Sequence, residues 1–308
     1  MSGAERRSEV HLNSPVYPPR VACLADPPEV LYVRGDPAAL SSPCLSIIGA
    51  RKATPYGLAL AEMAGRIAAE SGITVVSGAA RGCDQAAGRA ALAAGGRHIA
   101  VLGGGADVVY PRSAADLLED AIAAGGAVVS LEEWGFQPLR YTFVRRNRVI
   151  AALSEALFVT EAGMPSGTFG TAEAAMELGR EVLAAPGSIL SPTSRGANYL
   201  ITVGACCIVD EEALEMAISR IYGVLRYSRR PPEGNQGLGR RERELLEALV
   251  ANPMSIDDLA LAFGWSAVDC LQELSNLELM GLVERLLDGR FSPTKKALHA
   301  LSPLGENT

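Results

Sequence analysis

Residues 44–57 read CLSIIGARKATPYG, and the same arrangement returns at 73–84 as ITVVSGAARGCD and at 98–111 as HIAVLGGGADVVYP. Each begins with a short apolar run and passes into a glycine-containing loop. The first two lead directly into alanine-rich stretches of helical length, and the third reaches one from residue 114. The runs do not alternate with polar residues, as expected of parallel strands covered by helices on both faces. The pattern predicts βα units with strands over 45–48, 73–76, 98–102, 127–131, 156–160, 181–184 and 206–209. Helices are expected over 56–70, 83–94, 114–124, 148–153, 171–178 and 211–222. The fold class is therefore α/β, an extended Rossmann-like parallel-sheet domain over 21–225, preceded by an N-terminal tail over 1–20.

Beyond this domain, 226–239 (RYSRRPPEGNQGLG) has the prolines, glycines and charges of an exposed linker. Residues 240–302 then read as a small winged-helix-like domain. Helices are expected over 241–250, 256–263 and 268–280, and Asp288-Gly289 should close a hairpin as a two-residue turn. Between residues 240 and 300 there are seven Lys/Arg against ten Asp/Glu. The third helix, where a major-groove reader would place basic residues, offers Asp269, Glu273 and Glu278. That balance favours a protein-contact or packing role for this domain.

The whole chain of 308 residues carries a net charge of −7, which argues mildly against a polyanion partner because phosphate neutralisation supplies most non-specific affinity. Charge is local, however, and 140–148 holds Arg140, Arg145, Arg146 and Arg148 with no acid. Neither a run of about 18 apolar residues nor a secretory core near the start is present, so a cytoplasmic protein without membrane attachment is expected. Six scattered cysteines without a C-x-x-C pair read as reduced thiols. The histidines, His11, His98 and His299, have no metal-ligand spacing, and His98, opening a strand, reads as structural.

In an open parallel sheet the loops after the strands meet at the carboxyl edge, where ligands bind. After the first strand come Gly49, Ala50, Arg51 and Lys52: the glycine lets phosphate approach the backbone, and the arginine can fork onto its oxygens. This is not G-x-G-x-x-G, and no acid ends the second strand, so NAD is disfavoured. The second loop offers Ser77, Gly78 and Arg81, with Asp84 as a cap or brace. The third offers Gly103 and Gly105, with Asp107 as a brace, before Tyr110-Pro111. Ahead of the apolar stretch 148–153, Phe143 stands among Arg140, Arg145, Arg146, Asn147 and Arg148. An aromatic that can stack a base beside arginines that hold backbone is the combination used for single-stranded nucleic acid. Ser166, Gly167 and Thr171 open a later helix as another anion nest.

These pieces, in order, resemble the DNA-processing protein A (DprA/Smf) family: YPPR, DPPEVLYVRGD, IIGARKATPYG, VVSGAARGCD, AVLGGGADVVYP, FVRRNRVIAALS, SGTFGTA, GREVLAAPGS and SRGANYLITVGA. They run from about Tyr17 to Asp210. The resemblance implies a homodimer that binds single-stranded DNA and loads RecA recombinase during DNA uptake (natural transformation) and recombination, with no metal or nucleotide cofactor. It also implies that Arg51 holds phosphate, Phe143 stacks a base and Arg140 lines the same pocket. Phe169-Gly170 departs from the larger aliphatic residue usual in that loop. Two alternatives remain beside it. One is a nucleoside-monophosphate phosphoribohydrolase-like enzyme, for which PSGTFGTAEA lacks a glutamate three residues after Thr171. The other is a nucleotide-sensing Rossmann module.

Overall fold

The computed structural model of the chain describes residues 7–224, 238–294 and 296–297. In chain order its first part runs β1 (Arg7–His11), α1 (Pro19–Ala22), β2 (Val30–Gly35), β3 (Cys44–Ile48), α2 (Pro55–Glu70), β4 (Thr74–Ser77), α3 (Cys83–Ala93), β5 (His98–Leu102), α4 (Ala115–Ala123) and β6 (Ala127–Ser130). It continues with α5 (Arg140–Leu153), β7 (Ala156–Val159), α6 (Gly167–Glu177), β8 (Glu181–Ala184), α7 (Arg195–Thr202), β9 (Cys206–Cys207) and α8 (Glu211–Tyr222). The strands form one sheet in the order β1-β2-β6-β5-β4-β3-β7-β8-β9. From β6 to β9 all pairs are parallel.

Every residue of β3, β4, β5, β6 and β7 is buried, which accounts for the unbroken apolar runs. Such strands need cover on both faces, and the helices that connect them supply it. The helices approach closely because they are built from small residues: a Cβ on Gly65 would lie within 3.2 Å of the Ala87 backbone, joining α2 to α3. At the other end of the unit, the Tyr222 hydroxyl donates to the Cys44 carbonyl at 2.6 Å and fastens α8 to the start of β3.

The structure departs from the sequence pattern at three places. The segment read as an N-terminal tail contributes β1, which pairs antiparallel with β2, and β2 pairs antiparallel with β6. The sheet is thus mixed at this edge, and Val10 is buried at 2% exposure. The helix expected from residue 148 begins at Arg140, so the arginine-rich segment is helical and not a loop. The last strand is also shorter than expected, confined to Cys206–Cys207.

The second part comprises α9 (Arg240–Ala251), α10 (Ile256–Phe263), α11 (Ala267–Leu279), β10 (Val283–Arg285) and β11 (Phe291–Pro293). It has its own core, centred on Leu245, Leu246, Leu259, Leu274, Leu277 and Phe291. Ser255 and Ser266 cap α10 and α11 by accepting from the amides of Asp258 and Asp269. The hairpin differs from the expected two-residue turn. Leu286 N–H donates to Arg290 O, Gly289 N–H donates to Leu286 O, and positive φ falls on Gly289, not on Asp288. This is a three-residue loop with a left-handed glycine in its last place. Of the linker read at 226–239, residues 226–237 lie outside the described residues, as do residues 298–302 of the small domain.

Candidate nucleic-acid interface

The connections from β3 run through β4 and β5 to β6, and the chain then crosses to β7 on the other side of β3. This reversal makes a switch point between the carboxyl ends of β3 and β7, where an open α/β sheet usually has its ligand crevice. Across it, the Thr168 hydroxyl of α6 donates to the Gly49 carbonyl at 3.1 Å. Gly49 itself is packed inward, where a Cβ would lie 2.6 Å from Cys83 Sγ. Its lack of a side chain serves loop packing, and of the following residues Ala50 is half-buried while Arg51 and Lys52 are exposed.

The arginines divide by their position on α5. Arg140, Arg145 and Arg148 are exposed, Arg146 is buried, and Asn147 lies between them in exposure. Arg145 is engaged by Glu132 at 3.0 Å, whereas Arg140 and Arg148 make no ion pair among the described residues. Asn147 Nδ2 lies 3.4 Å from the Gly167 carbonyl, tying α5 to the first turn of α6. Phe143, half-buried on the same helix, has the Arg51 guanidinium 5.7 Å from its ring centre and that of Arg146 at 5.6 Å. The Tyr110 ring lies 6.0 Å away, tilted by 54°. Gly103 makes room for this cluster, since a Cβ there would lie 2.8 Å from the phenyl ring. Gly105 packs under the Glu133 carbonyl and the loop is braced by Asp107, which accepts from Gly135 N–H at 2.7 Å.

Arg146 and Asp84 are both buried beneath the crevice, each held by backbone groups and each feeling the other's charge. The Arg146 guanidinium donates to the Val101 carbonyl at 3.0 Å, and Asp84 accepts from the amides of Gly78 at 2.9 Å and Ala80 at 3.4 Å. Burial pushes the Asp84 carboxyl up and the Arg146 guanidinium down to about 10, and each charge opposes the other's shift. At neutral pH Arg146 keeps its proton and acts as a counter-ion and support for Phe143. Gly78 is needed because the Arg146 guanidinium lies directly over it.

The loop between β4 and α3 is held in a costly conformation. Ala79, fully buried, has φ 50°, in the left-handed region, which costs a non-glycine residue about 1–2 kcal/mol. Its amide donates to Ser77 Oγ at 3.2 Å and its carbonyl accepts from Gln85 Nε2 at 3.1 Å. Ser77, predicted as a phosphate ligand, is therefore a buried brace that also meets His98 Nε2 at 3.0 Å. Only Arg81 of this predicted group reaches the surface with its side chain.

At α6, Ser166 accepts from the Phe169 amide as the N-cap, and a Cβ at Gly167 would meet open space. Thr171 is 3% exposed and its hydroxyl donates back to the Gly167 carbonyl, so it shapes the turn and is not turned outward. The structure thus assembles Arg51, Phe143 and the α6 N-terminus into one crevice, and assigns Ser77, Gly78, Arg146 and Thr171 to its support. Tyr110 was not among the predicted contacts. Its signal was an aromatic ahead of proline in the loop that also carries the three glycines.

Comparison with known families decides the relationship: the model described as DNA recombination-mediator protein A matches residues 9–219. The chain belongs to this family. The DprA winged helix domain model matches residues 229–289, so the small domain is the winged helix of the same family. Protein Smf of Escherichia coli K12 is 34% identical to this family member over 293 residues, covering 93% of this chain and 77% of that protein. The structure of DNA processing protein A from Streptococcus pneumoniae superposes with a TM-score of 0.64 at 36% identity, covering 68% of this chain and 73% of that one. A second DNA processing protein A, from Helicobacter pylori and described for its single-stranded DNA binding mode, superposes at 0.63 with 29% identity, covering 70% and 98% respectively. No helix among the described residues is long and apolar enough to cross a membrane.

Proposed function

We propose that this DprA-family chain binds single-stranded DNA in the crevice at the carboxyl edge of its sheet, without enzymatic turnover or cofactor, and loads RecA recombinase as a cytoplasmic homodimer. The observation that carries the binding is the exposed Arg51 guanidinium beside the half-buried Phe143 ring. Cation and aromatic together suit a strand whose bases are unpaired: the phosphate is held while a base stacks. Arg140, Arg81 and Arg148 add exposed positive charge along the same edge. The relative from Helicobacter pylori supports the same ligand class. RecA loading and self-association rest on the family resemblance. Against the phosphoribohydrolase reading, the position three residues after Thr171 is Ala174, and the neighbouring Glu173 is exposed on α6. A step of one residue rotates a side chain by about 100° around the helix.

The test is fluorescence anisotropy of a labelled oligo-dT across a salt series, with duplex as competitor. Wild type should prefer the single strand, and Arg51→Ala and Phe143→Ala should each weaken binding, the latter by about 1–3 kcal/mol. The log-log salt slope should also fall by about 0.7 in Arg51→Ala, for the phosphate contact removed. Unchanged affinity in both variants would refute the assignment, and release of free base from AMP would restore the enzymatic reading.

A further inference from the structure

We infer that Tyr199, Phe169 and Arg195 form a second nucleotide subsite, taking a base and a phosphate of the same single strand at the far end of the carboxyl edge. The inference rests on the DNA-binding reading and extends it beyond the Arg51–Phe143 pocket. Phe169, in the first turn of α6, packs on the core. On it lies the ring of Tyr199 from α7, with centroids 5.6 Å apart and planes tilted by 51°. Tyr199 is nonetheless 44% exposed, so an aromatic surface is held from beneath and open above. Arg195 stands four residues earlier on α7, and side chains at this spacing share one helix face. It is exposed and makes no ion pair among the described residues.

The two subsites are joined by approachable backbone. Thr168 touches the Gly49 carbonyl beside Arg51, Phe169 follows it, and Cβ atoms placed at Gly167 or Gly170 would meet nothing within 4 Å. Sheet order fixes the span. Phe143 sits over the loop after β5 and α7 follows β8, with β4, β3 and β7 between. Four strand intervals make about 19 Å, or about five or six nucleotides at the 3.4 Å spacing of stacked DNA. A short oligomer fills one subsite, and only a longer one reaches both.

The test compares dT4 and dT12 binding to the full chain, with particle mass measured by light scattering. Tyr199→Ala should weaken dT12 about tenfold, leave dT4 within twofold, and keep a wild-type melting temperature. Tyr199→Trp should retain dT12 affinity, and Arg195→Ala should lower the salt slope by about 0.7 for dT12 alone. Unchanged dT12 affinity in Tyr199→Ala, with Phe143→Ala still weakening both oligomers, would overturn this subsite while leaving the first intact. A change of mass with no change in affinity would overturn it too, by making the surface an interface between copies of the chain. Failure of Arg51→Ala and Phe143→Ala to weaken either oligomer would instead refute the primary pocket.

Discussion

His98 opens β5 fully buried, with Nε2 against Ser77 Oγ and no partner for Nδ1 among the described residues. Gly88 packs on the ring, where a Cβ would lie 3.0 Å from the imidazole. Burial pushes the imidazole down to about 4, against about 6.5 in the unfolded chain. As pH falls, the unfolded state takes the proton first. The contribution is therefore present above 6.5 and is lost as pH falls toward 4. Between pH 7 and pH 5 this residue should remove about 2 kcal/mol of stability. Urea denaturation at the two pH values checks it. His98→Gln should show a correspondingly smaller drop, and an equal drop would assign the acid sensitivity elsewhere.

Among the elements, β1 is the one whose removal has the clearest outcome. It covers the edge of β2 through five paired residues, Arg7 with Arg34 to His11 with Val30, and an uncovered edge is a template for aggregation. A chain starting at residue 13 should melt at lower temperature and scatter light on heating, whereas unchanged melting would make β1 dispensable. RSEVH gave little warning of this strand, since Val10 is its sole strongly apolar residue. The central strands were legible because burial on both faces demands continuous apolar side chains. The start of α5 was not, since RYTFVRRNR is polar where it borders the crevice and only Val149–Leu153 is buried without interruption. The same difference in burial limits the reading of the site. Arg51 and Phe143 could be named from residue type, but whether an arginine or serine faces ligand or interior depends on partners distant in sequence, such as Asp84 for Arg146 and His98 for Ser77.

The chain carries a charge of −7 and its winged helix is acidic, so the exposed arginines of the sheet edge are a local exception. Asp257, Asp258 and Asp269 lie in the first turns of α10 and α11, favourable for those helices and adverse to phosphate. A chain ending at residue 224 should therefore bind oligo-dT within about threefold of the full chain, with the same salt slope as expected when no phosphate contact is lost. A loss of most of the affinity, measured by the same anisotropy titration, would show that the winged helix supplies contacts of its own.

The buried second half of α5 has a kinetic consequence. Because Val149–Leu153 anchor the helix in the core, Arg140 and Phe143 stand on a rod already in place when a strand arrives. Little ordering of the protein accompanies capture, so association should approach the rate of a pre-formed site, and substitutions along the crevice should act mainly by shortening residence time.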